Sequence, residues 1–178
     1  MTVTNVSQKK PDLILEQYFL GKTFASGIFE DRFGNVRRQF TVDIDGTWDG
    51  KTLTLTEDFI FGDGETETRV WSIEKIAPAS YVGTADDVIG SAKGIVSGNT
   101  LNWKYDMRLK VGGSKVKVHF DDWMLLQPNG VLINKATVSK SGLDIGRVTI
   151  AFTKKADADF LSTISSTNKE PLVATSAR

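Results

Sequence analysis

Residues 36–61 read VRRQFTVDIDGTWDGKTLTLTEDFIF, and their pattern decides the fold. Before Asp49-Gly50, apolar side chains recur at Phe40, Val42 and Ile44; after it they recur at Leu53, Leu55, Phe59 and Phe61. Arg37, Gln39, Asp43, Thr52 and Thr54 occupy the positions between. Successive side chains of an extended strand point to opposite faces, so this alternation describes strands with one apolar face. Asp-Gly between two such runs is hairpin chemistry.

Working outward, the same punctuation recurs roughly every dozen residues, the rhythm of consecutive hairpins. The breaks are Arg32-Phe33-Gly34-Asn35, Gly62-Asp63-Gly64, Ala77-Pro78-Ala79, Gly98-Asn99, Gly112-Gly113, Pro128-Asn129-Gly130 and Ser141-Gly142. No helical period intervenes between residues 23 and 153. The expected fold is therefore all-β: an up-and-down antiparallel meander of about ten strands, closed into a lipocalin- or calycin-like barrel, since open edges invite aggregation. Ahead of it, Pro11 followed by Leu13, Ile14, Leu15, Tyr18 and Phe19, with a stop at Gly21, predicts a short helix. Packing against the sheet is its ordinary fate; capping a barrel end is the alternative. The expected organisation is a flexible tail over 1–10, one barrel domain over 11–155, and a polar, mobile tail over 156–178. In that tail Phe160, Leu161 and Ile164 make at most one helical turn.

The turns also predict register. A two-residue Asp49-Gly50 loop pairs Ile44 with Leu55, Val42 with Glu57 and Phe40 with Phe59. A turn centred on Asp63 pairs Leu55 with Trp71 and Glu57 with Arg69. About Gly112-Gly113, Leu109 meets Val116, Met107 meets Val118, Tyr105 meets Phe120 and Trp103 meets Asp122. About Pro128-Asn129, Leu126 meets Val131, Met124 meets Ile133 and Asp122 meets Lys135. These pairings put Phe40, Phe59, Trp71, Trp103, Tyr105, Met107 and Phe120 on one apolar face. Arg38, Glu57, Arg69, Asp122 and Lys135 fall in phase with them. Charges on such a face need partners; Glu57 has Arg69 and Arg38 to hand, and Asp122 has Lys135. The set is either a polar floor that grips a ligand or a group of ion pairs that fix register.

Twenty-two basic and twenty-two acidic side chains balance, so no net field draws nucleic acid or an anionic membrane. There is no cysteine and a single histidine, His119, which excludes disulfides, thiolate sites and histidine-rich metal centres. No stretch is long and apolar enough to span a bilayer as a helix, and residues 1–10 lack the apolar core of a signal peptide, so a cytoplasmic location is expected. Asp86-Asp87 and Asp121-Asp122 are paired carboxylates, but neighbours on a strand point apart and neither doublet forms a dyad alone. Asp121 and His119 share the outer face as a solvated contact. There is no nucleophile elbow, no phosphate-binding glycine loop, and no cofactor or metal motif.

Several segments carry a resemblance. They are Gly27 to Gly34, Phe40 to Ile44 with Gly46-Thr47-Trp48, Glu57-Asp58-Phe59, Arg69-Val70-Trp71, Gly83 to Val88, Asn102-Trp103, Phe120 to Met124 and Val131 to Asn134. Over about residues 13–154 the chain resembles an uncharacterised bacterial family of small domains of unknown function, often labelled putative lipoproteins. The resemblance implies a lipocalin-type barrel and an association with fatty-acid modification, since members are often encoded beside relatives of cyclopropane fatty acid synthase. It carries over no activity and no binding residues. The chain departs from the lipoprotein members in having no lipobox cysteine. Gly46-Thr47-Trp48 has the form of the lipocalin Gly-x-Trp motif, but it ends the second strand and is read as coincidence.

The expected function is non-catalytic carriage of a hydrophobic small molecule, a fatty acid or modified acyl chain. Arg38, Arg69 or Lys135 would meet the head group; Phe40, Phe59, Trp71, Trp103, Tyr105, Met107 and Phe120 would meet the tail. The rival reading is an enzyme of isomerase or lyase type acting on a lipid in the same barrel, with Glu57 or Asp122 as acid or base. A third is a dry barrel serving as an interaction module.

Overall fold

The computed structural model describes residues 11–111 and 113–154. Ten strands run in chain order: β1 Gly21–Asp31, β2 Val36–Trp48, β3 Thr52–Phe61, β4 Thr66–Ala77, β5 Ser80–Thr84, β6 Val88–Ser97, β7 Thr100–Val111, β8 Ser114–Leu126, β9 Leu132–Lys140 and β10 Leu143–Thr153. Each pairs antiparallel with its neighbours in sequence, and β1 pairs with β10 to close the barrel. The all-β, ten-stranded, up-and-down expectation holds. The two tails lie outside the described residues.

Two of the four registers hold residue for residue. Leu55 faces Trp71 and Glu57 faces Arg69 across β3 and β4; Trp103 faces Asp122 and Tyr105 faces Phe120 across β7 and β8. The other two need correction. The β2–β3 loop is centred on Gly50-Lys51, with Gly50 at φ 98° and Asp49 Oδ1 accepting from the Lys51 and Thr52 amides. Phe40 consequently faces Phe61, Val42 faces Phe59 and Ile44 faces Glu57. A slip of two residues changes partners and preserves faces. The β8–β9 loop is longer by one: Gln127 N donates to Val131 O, enclosing Pro128, Asn129 and Gly130, with Gly130 at φ 86°. Asp122 then faces Ala136, and Met124 faces Asn134. A slip of one residue turns a strand over, so Lys135 sits exposed on the outer wall and Asn134 is buried inside. Between β5 and β6 lies a turn the punctuation did not mark, Ala85-Asp86-Asp87, where Val88 N donates to Ala85 O.

The short helix, α1 Leu15–Tyr18, closes one end of the barrel. Leu15 and Phe19 are buried and face the lumen. Around them the helix is tied to that rim from several sides. Leu13 N donates to Gly98 O. Tyr18 OH reaches Gly130 O at 2.9 Å and Phe152 O at 3.2 Å. Glu16 accepts from Lys75 and, at 2.6 Å, from Tyr81 OH. Burial works against ionising Glu16, but those hydrogen bonds prevail and hold its carboxyl below the ordinary range. Gly46 is required here, because a Cβ at this position would collide with the Phe19 carbonyl. The Gly-x-Trp resemblance thus marks the place where β2 passes beneath the plug.

Candidate functional site: a one-mouthed lumen

Behind the plug the barrel encloses a cavity of about 1060 Å³ that opens at the far end, between the β1–β2, β3–β4, β5–β6, β7–β8 and β9–β10 connections. Apolar side chains dominate its wall. Towards the mouth, Phe40, Phe59 and Phe61 form a cluster with ring centroids 5.8–5.9 Å apart. Deeper, Trp71 meets Trp103 edge-on at 5.7 Å and Tyr105 at 5.4 Å, while Tyr105 stacks on Phe120 at 5.0 Å. Met107 is buried in the same wall. Space for the Trp103 indole comes from glycines on β5 and β6: a Cβ on Gly83 or Gly94 would run into its ring. All seven residues assigned to a ligand tail therefore share one lumen.

Of the five in-phase charges, Glu57, Arg69 and Asp122 line that lumen, Arg38 stands at its mouth, and Lys135 is outside. Arg38 does not reach Glu57. Its guanidinium lies 3.5 Å from the Phe61 ring centroid and pairs with Glu65 at 2.6 Å and Asp63 at 3.4 Å. Arg69 approaches Glu57 only to 3.9 Å; its close partner is Asp87, at 2.8 Å from Nη2 and 2.9 Å from Nε. Burial pulls the Arg69 pKa down, and the Asp87 hydrogen bonds together with the Glu57 charge outweigh it, so the guanidinium stays charged. Sequence reasoning missed Asp87, which it weighed as half of a carboxylate doublet. It lies in the one turn without glycine or proline, at a point where β4 continues past the end of β5.

Asp122 and Glu57 are carboxyls in an apolar wall. Burial lifts Asp122 to about 7, against weaker opposing hydrogen bonds from Asn134 and Tyr105. Burial likewise lifts Glu57 to about 7, against the attraction of Arg69. Neither doublet forms a dyad: Asp86 is exposed, and Asp121 faces outward to Asn102 and Lys104. His119 contacts Asp106 at 2.7 Å on the outer wall, in place of Asp121. The deep polar group is instead Asp122, Tyr105 and Asn134. Tyr105 OH and Asn134 Nδ2 both donate to Asp122 Oδ2, each at 3.4 Å. Asn134 was missed because the β8–β9 loop was read one residue short; the Pro-Asn-Gly triplet was the available signal, since three-residue hairpin loops place glycine at a left-handed position.

Among the described residues, a closed antiparallel barrel with a helix across one end, a mouth at the far end and an aromatic lumen defines the lipocalin-like class. A family model described as "Protein of unknown function (DUF3833)" matches residues 1–154, and the chain belongs to that family. The S-type phycobiliprotein lyase CPES from Guillardia theta has a similar structure: TM-score 0.56 at 7% identity, covering 88% of this chain and 99% of that one. A DUF3598-family protein of unknown function from Nostoc punctiforme PCC 73102 superposes with TM-score 0.53 at 11% identity over 80% of this chain. That match takes in about half, 49%, of the Nostoc protein. At these identities the likeness is one of fold. No curated protein matches the chain. Among the described residues, no helix is long and apolar enough to cross a membrane.

Proposed function

We propose that the barrel binds and carries a hydrophobic small molecule, a fatty acid or modified acyl chain, with the tail among the lumen aromatics and the head group at the mouth. The observation that carries this reading is the lumen itself, about 1060 Å³ and predominantly apolar, which is at the upper end of ligand-pocket sizes. A filled, dry barrel finds no support in a space of that volume. The resemblance carried by the sequence segments implies an association with fatty-acid modification, which favours an acyl chain.

The head-group assignment differs from the sequence expectation. Arg38 and Arg69 are already paired with carboxylates, and Lys135 is outside. Arg108, Lys110 and Lys115 line the mouth on the β7–β8 hairpin and form no ion pair among the described residues. They are the cations available to a carboxylate head group.

The test is a fluorescence titration with octadecanoic acid. Entry of a methylene chain changes the surroundings of Trp71 and Trp103, so a saturable shift or quench at micromolar ligand is expected. Trp103→Phe should shrink that signal while the melting transition persists. No response in the wild-type protein would overturn the reading.

One observation favours a second reading, an enzyme working in the same lumen. Two carboxyls poised near 7 suit general acid–base chemistry, and a protein of this fold is named a lyase. Under that reading Glu57 or Asp122 exchanges the proton. Turnover of a bound lipid by wild type, abolished in Glu57→Gln or in Asp122→Asn, would favour it over carriage.

A further inference from the structure

The deep end of the lumen holds two polar atoms that its apolar lining does not explain. Asp122 and Asn134 are each only 3% exposed, and both line the cavity. Asp122 Oδ1 and Asn134 Oδ1 have no hydrogen-bond partner among the described residues. Buried polar atoms cost free energy when unpaired, so such a pair on a ligand cavity marks where a ligand atom belongs. Both residues stand towards the plugged end. Asp122 is four residues from the Leu126 end of β8, and Asn134 two from the Leu132 end of β9.

We propose that the space beside Asp122 and Asn134 is a subsite for a hydroxyl group carried by the ligand, buried in the floor half of the lumen. The inference rests on the carrier reading above and specifies its ligand.

The hydrogen-bond directions select the group. Asp122 Oδ2 already accepts from Tyr105 OH and Asn134 Nδ2. In the neutral carboxylic acid the proton therefore resides on Oδ1, which becomes a donor. Asn134 Oδ1 is an acceptor only. A hydroxyl both donates and accepts, so one oxygen answers Asp122 and its hydrogen answers Asn134. A ketone oxygen would leave Asn134 unanswered. A carboxylate would be driven into a wall that already holds Asp122 and Glu57, with Arg69 committed to Asp87. A saturated chain would leave both atoms unpaired. Sites built to pair a hydroxyl discriminate strongly against analogues that lack it.

The experiment measures affinity for octadecanoic acid and its 2-, 10-, 12- and 18-hydroxy derivatives by the same tryptophan titration. With the carboxylate at the mouth, the 2-hydroxy acid should bind like the parent, because its hydroxyl stays near the mouth. At least one of the other three should bind about tenfold tighter, the ratio one well-made hydrogen bond supplies. Asn134→Leu should erase that gain, bringing the affinity ratio of the hydroxy acid to the parent measured on the same variant to about one; Asp122→Leu, run in parallel, should erase it too. If every hydroxy acid binds within twofold of a parent that does bind, the subsite is wrong and the carrier reading stands. A gain that survives both leucine variants also overturns the subsite, because the hydroxyl is then met elsewhere. If no acid binds, hydroxylated or not, the carrier reading itself fails.

Discussion

At the scale of single residues, the interior charges divide into an ion pair that stabilises the wall and carboxyls that cost stability. Arg69 is 15% exposed and makes its closest contacts to Asp87, with Glu67 at 3.2 Å and Glu57 farther off. Removing Asp87 takes the closest of three carboxylates from a largely buried guanidinium, which costs about 1–3 kcal/mol. Asp87→Ala should therefore lower the urea midpoint clearly, and more than Glu57→Ala; the reverse order would mean Glu57 is the true partner. Asp122 and Glu57 also make stability depend on pH. Their folded pKa values, about 7, lie above the ordinary carboxylate range, so between roughly pH 4 and 7 the folded chain holds protons that the unfolded chain has released. Their contribution is intact below that window and is lost as pH rises through 7, on the order of a few kcal/mol for the two together. Urea unfolding at pH 5 and pH 8 should show Asp122→Asn and Glu57→Gln gaining relative to wild type at the higher pH. An equal offset at both pH values would show that neither carboxyl is titrating in this window. The residue-level reading of the sequence succeeded at the Gly62-Asp63-Gly64 and Gly112-Gly113 loops, as for Glu57 opposite Arg69 and Trp103 opposite Asp122, and slipped by two at Asp49-Gly50. It failed at Lys135 because one extra loop residue inverts every side chain on β9.

At the scale of elements, alternation and turn chemistry made eight of the nine strand connections legible, with the β5–β6 turn hidden in an Ala-Asp-Asp sequence. The plug was legible only as the alternative to packing on the sheet. Its apolar stripe is equally suited to a sheet face, and only the contacts of Leu13, Glu16 and Tyr18 with the barrel rim decide between the two. Those contacts predict the effect of Gly46→Ala. The new methyl meets backbone at Phe19, which has no side-chain freedom to yield. The variant should lose stability by more than 1 kcal/mol and should show faster amide exchange in residues 13–19, with the β7–β8 hairpin unaffected. Uniform exchange would place the strain elsewhere. Gly94→Ala has a different target, since its methyl meets the Trp103 ring. It should alter tryptophan fluorescence and weaken long-chain ligands while the closed barrel persists by circular dichroism.

At the scale of the whole molecule, a barrel closed at one end and ringed by charge at the other orients whatever enters it. Net neutrality rules out a global field, so the contribution of Arg108, Lys110 and Lys115 is local and screened. Replacing Arg108 and Lys115 with methionine should weaken octadecanoic acid relative to octadecan-1-ol by about two- to fivefold at low salt, as expected of exposed cations. Equal weakening of both would remove these residues from the head-group role. The central claim is that a chain-like ligand occupies the lumen, and a lumen-blocking variant tests it most directly. Ala136 is 3% exposed and lines the cavity opposite Asp122 in register. Native mass spectrometry of the protein with octadecanoic acid should show a one-to-one adduct in wild type, lost in Ala136→Phe although that variant keeps its β-sheet spectrum. Absence of the adduct from wild type, or its undiminished presence in folded Ala136→Phe, would contradict binding inside the barrel.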